Sequence, residues 1–157
     1  MRRANLQAGL FGGALAVLLG LIALLPYVGL CISLPLYPAT FFLTGLVTVR
    51  VSDVAPGVSQ AAAGGAVAGF VAAVIGGLAA MFLAPLRLNL AGGPEQLVSA
   101  LSPNTVDTLV AAGLEPAAVV DLMAGVGAGI LCCTAQLTTG VLLAATGAGL
   151  YAAYRRT

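Results

Sequence analysis

Residues 61–86 read AAAGGAVAGFVAAVIGGLAAMFLAPL, a run without a single charged side chain. About 20 apolar residues in a helix cross ~30 Å of hydrocarbon, so this stretch predicts a membrane crossing with length to spare. Within it Ala61, Gly65, Gly69, Ala73 and Gly77 recur at every fourth position. Lipid tails are as apolar as Leu, so helices in lipid associate through close van der Waals contact, which rows of small residues permit.

Three further apolar blocks flank this one. Upstream, residues 6–25 follow Arg2 and Arg3, span the length of one crossing, and lack a small-x-small cleavage site before Pro26, which predicts a retained anchor helix rather than a cleaved leader. Residues 28–49 form the second block, ending at Arg50 and interrupted by Pro35 and Pro38; it is expected to cross with a kink. A polar hinge, Arg50 to Gln60, carries Asp53, Pro56, Gly57 and Ser59. Downstream, residues 122–151 make the fourth block, whose apolar character continues to Tyr154, so that it is tilted or projects from the bilayer.

Residues 87–121 are the one substantial segment outside these blocks. Pro94, Pro103 and Pro116 each suit a first helical position, Ser102 is a good cap, and Val106, Leu109 and Val110 recur at helical spacing, which predicts short amphipathic helices on the membrane surface. The fold class is therefore an all-α integral membrane protein. It is a four-transmembrane-helix bundle in one membrane domain over residues 1–157, with a short extracytoplasmic helical cap between the third and fourth helices.

Arginine sets the orientation, since short loops rich in Arg stay cytoplasmic. With both termini inside, Arg2, Arg3, Arg50, Arg155 and Arg156 are cytoplasmic and only Arg87 lies outside. Tyr27 at one interface and Tyr151 with Tyr154 at the other match the preference of amphipathic rings. The outer loop then holds Glu95, Asp107, Glu115 and Asp121 against Arg87, a small acidic cap on a multi-pass protein of the cell membrane.

Small-residue rows recur in the other helices. Ala8, Gly12, Ala16 and Gly20 form one in the first helix, and Ala124, Ala128, Cys132, Gln136, Gly140, Ala144, Ala148 and Ala152 form another in the fourth. Gly12, Gly20, Gly65, Gly69, Gly77 and Gly140 are the expected points of closest approach, within the chain or with a partner.

One layer near the midplane is unusual. Pro35 and Pro38 release the carbonyls of Cys31 and Leu34 at a kink, with Ser33 and Tyr37 nearby. At ~1.5 Å per residue Tyr37 lies ~14 Å and Cys132 ~15 Å from the outer boundary, with Gln136 one turn deeper. Three roles are open to Tyr37, Cys132 and Gln136. They are polar glue around the kink, a pocket for an apolar ligand with one polar end such as a quinone or pigment, or a path for a solute or ion. Thr40, Thr44 and Thr48 are expected to bond to carbonyls one turn back.

Composition bounds the function. Of 157 residues 61% are hydrophobic and 7% charged, against roughly 25% charged in soluble domains. The net charge of +1 leaves no basic stripe for nucleic acid. There is no His, and Cys31, Cys132 and Cys133 lack a base or cation to activate a thiol, so catalysis is not expected. The expected function is a non-catalytic small polytopic subunit embedded in the lipid bilayer, packing through its Gly/Ala ridges in a larger membrane complex or with copies of itself. The alternatives are a carrier or channel for a small solute or ion, or a binder of an apolar cofactor. The sequence names no particular cofactor.

Overall fold

A computed structural model describes residues 2–25, 28–52, 57–90 and 92–155. The side chains of Arg2, residues 28–34 and Val126 are not among those described. The expected placements of Pro26, Tyr27, Asp53, Pro56 and Arg156, and of the Cys31 and Ser33 side chains, lie outside the described residues.

The chain is all-helical, with no strand among the described residues. In order it forms α1 (Arg2–Ile22), α2 (Val28–Val51), α3 (Val58–Leu90), α4 (Gly93–Ser99), α5 (Pro103–Ala111) and α6 (Pro116–Val120). A π-helical segment (Asp121–Gly127) then leads without a break into α7 (Ala128–Tyr154). Among the described residues three stretches are long and apolar enough to cross a membrane: Arg3–Ile22, Val58–Leu90 and Pro116–Tyr154.

Helices α1, α2, α3 and α7 pack side by side. The most extensive contact is α3 on α7, followed by α1 on α3, α2 on α7 and α1 on α2, with α2 also touching α3. Glycine contacts give the directions. Gly69 meets Gly140 while Gly77 meets Cys133, so α3 and α7 are antiparallel; Gly9 meets Val71 and Gly20 meets Leu83, so α1 and α3 are parallel.

The interior is made of short side chains. Ala8, Ala16, Ala68, Ala72, Ala73, Ala144 and Ala148 are buried, and the largest fully buried side chains are Phe41 and Val49. Large side chains point outward, among them Phe11, Phe70, Phe82, Leu131 and Leu142. A water-soluble bundle would place these groups the other way round, because burying a Leu or Phe is its main source of stability.

Backbone contact carries the packing instead. A Cβ built on Gly65 would lie 2.6 Å from the Ala148 Cβ, one on Gly69 2.7 Å from the Ala144 Cβ, and one on Gly77 2.6 Å from the Cys133 Sγ. Gly12 lies under Thr44, and Gly140 is close to Ala73 and Phe41 at 3.0 and 3.1 Å from its would-be Cβ. Thr40, Thr44 and Thr48 donate at 2.8 Å to the carbonyls of Leu36, Thr40 and Thr44, so their hydroxyls sit between helices without unpaired donors.

Several boundaries differ from those predicted. Helix α1 ends at Ile22 rather than residue 25, because Leu24 and Leu25 bond back to Leu21 and Ile22 in a tight turn. Apolar composition does not separate such a turn from helix. Helix α3 starts at Val58 and passes through Pro85 to Leu90, where the Asn89 amide donates to the Pro85 carbonyl at 3.0 Å. It stops where Gly92 and Gly93 take φ of +100° and +79°, a left-handed pair that glycine adopts without a Cβ penalty. Ser102 does not cap α5 through its side chain; its hydroxyl pairs with that of Thr105 at 2.8 Å, and its backbone carbonyl takes the Thr105 and Val106 amides. The π segment was not foreseen. Its wide turn brings the Leu122 carbonyl to 3.2 Å from where a Gly127 Cβ would be, so Gly127 suits that position.

Candidate functional site

The C-terminal ends of α1 and α3 and the N-terminal end of α7 stand apart from one another. Between them lies a cavity of about 510 Å³. Short side chains on three helices make it: Gly20 and Ala23 on α1, Ala80 and Ala84 on α3, and Ala124 and Ala128 along the π segment and α7. Farther in, the same kinds of row lie in contact, whereas here they line the cavity. Leu83 and Leu88 complete the walls and Leu97 of α4 covers them from the cap. Arg87 lines the end toward the α4–α6 cap, and Tyr37 and Cys132 line the inner end.

The inner end coincides with the layer singled out in the sequence. Tyr37, Cys132 and Gln136 are brought together as neighbours. The Tyr37 hydroxyl donates to the Ala16 carbonyl at 3.2 Å, and Gly20 lies beside it, its would-be Cβ at an ordinary contact distance of 3.4 Å from the hydroxyl oxygen. Gln136 is 7% exposed; its Nε2 donates to the Cys132 Sγ at 3.5 Å, and its Oε1 is buried without a hydrogen-bond partner. That oxygen faces Gly76, whose would-be Cβ lies 3.1 Å away.

Polar glue around the kink would have Gln136 bond the carbonyls released by Pro35 and Pro38. Gln136 takes neither carbonyl, since both prolines are on an exposed face of α2 and the carbonyls they release lie on that same face. The long row on α7 also divides at Gln136. Gly140, Ala144, Ala148 and Ala152 are buried against α2 and α3, whereas Ala128 and Cys132 are exposed to the cavity.

Chemically the site is an apolar slot with a guanidinium at one end and a phenol and thiol at the other. None of Glu95, Asp107, Glu115 or Asp121 lines it, and among the described residues no group of three His, Cys, Asp or Glu is placed to hold a metal ion. A cavity of this size is within the ~300–1,000 Å³ typical of small-molecule sites.

The sequence reading named the inner end of the slot and missed its walls. Gly76, Ala80 and Ala84 continue the every-fourth-residue pattern of α3 on an adjacent row that ends beside Arg87. That pattern was a usable signal. Gly45 and Gly147, which meet the backbones of Ala144 and Phe42, were also missed. Comparison with protein-family models, curated proteins and solved structures gives no match to this chain.

Proposed function

We propose that this chain is a non-catalytic protein of the cell membrane with four crossings, α1, α2, α3 and α7, and both termini cytoplasmic, which holds an apolar ligand in its outer-leaflet cavity. The observation that carries this is the apolar slot of about 510 Å³ ending at Tyr37 and Cys132. Helix α2 supplies the fourth crossing: it packs along α1 and α7 and its buried face consists of Thr, Phe, Gly and Val held against them. The Arg distribution supports the orientation. Helix α5, which has little packing beyond α6 and exposes Val110, is suited to rest on the outer surface of the bilayer.

Native mass spectrometry after mild extraction tests the binding function. The expected result is a retained small-molecule adduct that disappears when Ala128→Phe fills the slot. Protein that carries no adduct, and takes up no neutral apolar probe more readily than Ala128→Phe does, refutes it.

A second role, as a subunit of a larger assembly or a homo-oligomer, is favoured by the outward side of α7. There Ala135, Thr138 and Thr139 are exposed, and both hydroxyls are satisfied by their own helix, leaving a low surface for another helix. The Gly/Ala rows of α3 and α7 face each other, so a partner would meet this other side. Cross-linking at Ala135→Cys in intact membranes, in a background with the native cysteines replaced, yields a dimer or a hetero-adduct if this role holds, and monomer only if it does not.

A further inference from the structure

We infer that the occupant of the slot is a single-chain amphiphile with an oxyanion head, its head on Arg87 and its chain running inward toward Tyr37 and Cys132. This rests on the slot being a binding site and adds the chemistry of what it binds.

Charge complementarity carries the step. Arg87 lines the cavity and, among the described residues, forms no ion pair or hydrogen bond; the four carboxylates of the cap are elsewhere. A guanidinium keeps its charge at any ordinary pH and presents a planar fork of donors that matches a carboxylate or phosphate with two parallel hydrogen bonds. Arg87 is exposed near the end of α3, where a long cationic side chain can lay its stem along apolar surface and present its head to an anion at the mouth of the slot. The cap is acidic as a whole, so an anion would be drawn to this outer face by Arg87 alone, and only at the mouth of the slot.

The remaining wall dictates the rest of the ligand. From Arg87 to Ala80 on α3 is about 10 Å of helix, and from Ala128 to Cys132 on α7 about 6 Å, with Ala124 of the π segment one turn beyond. Among the described residues the lining between these ends is Gly, Ala and Leu, with no donor or acceptor from a side chain. One alkyl chain is the shape and polarity that fills such a space; two chains with a bulky headgroup exceed it. At the inner end the Tyr37 hydroxyl is committed to Ala16 and the Gln136 oxygen is covered, so a methyl terminus loses nothing there.

Protection of Cys132 reports occupancy, because its sulfur lines the inner end. The full chain carrying Cys31→Ala and Cys133→Ala is placed in neutral phosphatidylcholine nanodiscs and reacted with a neutral membrane-permeant maleimide. Dodecanoate, dodecyl phosphate, dodecanol and dodecylammonium are compared as protectants. Either or both anions should slow labelling at about tenfold lower concentration than the alcohol, and the ammonium should protect least. Arg87→Gln should erase the advantage of the anion over the alcohol, and Arg87→Lys should keep part of it. A stronger effect of one anion identifies carboxylate or phosphate as the preferred head. If dodecanol protects as well as the anions, or the preference survives in Arg87→Gln, the oxyanion assignment is overturned while the apolar site stands. If none of the four slows labelling of a Cys132 that does react, the binding site itself is refuted.

Discussion

Substituting Gly45 by Ala puts the backbone-contact account of stability to a direct test. A Cβ at this position would enter the Ala144 peptide, 2.8 Å from its carbonyl carbon and 2.9 Å from its Cα, with the carbonyl oxygen closer still. Ordinary contact starts near 3.4 Å, and the obstacle is backbone, so no rotamer change relieves it. Helices α2 and α7 must separate by about half an ångström to an ångström, and a gap of that order forfeits roughly a quarter to a half of the dispersion energy across it. Overpacking typically costs about 1–3 kcal/mol, and the rigid neighbour places this case at about 2–3. Replacing Gly by Ala in a helix returns up to about 1 kcal/mol, leaving a net loss of about 1–2 kcal/mol. Gly149→Ala is the control. Its Cβ would meet nothing nearer than the Ala62 Cβ at 3.8 Å, so only the helix-propensity gain remains and the variant should be neutral or up to about 1 kcal/mol more stable. Unfolding by SDS titration in mixed micelles, read by pulse proteolysis, measures both. If Gly45→Ala lies within about 0.5 kcal/mol of the parent, or proves no less stable than Gly149→Ala, tight backbone approach is not what holds α2 to α7.

Gln136→Met should be neutral or stabilise by about 1 kcal/mol in the same titration, because it removes a buried oxygen that has no partner while keeping the side-chain length; a loss above about 1 kcal/mol would show that the amide acts as glue after all. Tyr37→Phe deletes the bond to the Ala16 carbonyl and should cost about 0.5–1.5 kcal/mol, with equal stability of the two proteins counting against that bond. In a Cys31→Ala background, a small neutral thiol reagent should modify Cys132, which lines the cavity, several times faster than Cys133, whose sulfur is pressed against Gly77; peptide mapping by mass spectrometry would expose the reverse order.

Much of this architecture can be read in the letters. The charge-free run 61–86 marks α3 because nothing but hydrocarbon or a buried core suits it, and the every-fourth-residue rows of α3 and α7 lie on the faces that meet. Tyr37, Cys132 and Gln136 were brought to one level by counting ~1.5 Å per residue from assumed helix starts. The three are neighbours in the fold, where α2 and α7 run parallel, so an error in the assumed starting depth shifts both helices alike. What the letters withheld depends on which face of a helix has a neighbour. Ala128 and Ala144 belong to one row and have the same side chain, yet one borders empty space and the other is sealed. The end of α1 at Ile22 and the wide turn at Asp121–Gly127 both lie at this end of the bundle, and neither leaves a mark in hydropathy. Pro35 and Pro38 misled for a related reason: a released carbonyl is useful to a distant side chain only if it faces inward.

An interior of Gly and Ala and an exterior of Leu, Val and Phe reverse the usual economy of substitution. At Phe82, Leu131 or Leu142 any bulky apolar residue is as soluble in the acyl chains as the original, so those positions can exchange letters freely. At Gly65, Gly69 and Gly77, between α3 and α7, the addition of one methyl group is already too much. The identity of the fold is thus inscribed in its smallest residues, and a search for kin should weigh where glycine and alanine recur above the abundant leucines that catch the eye.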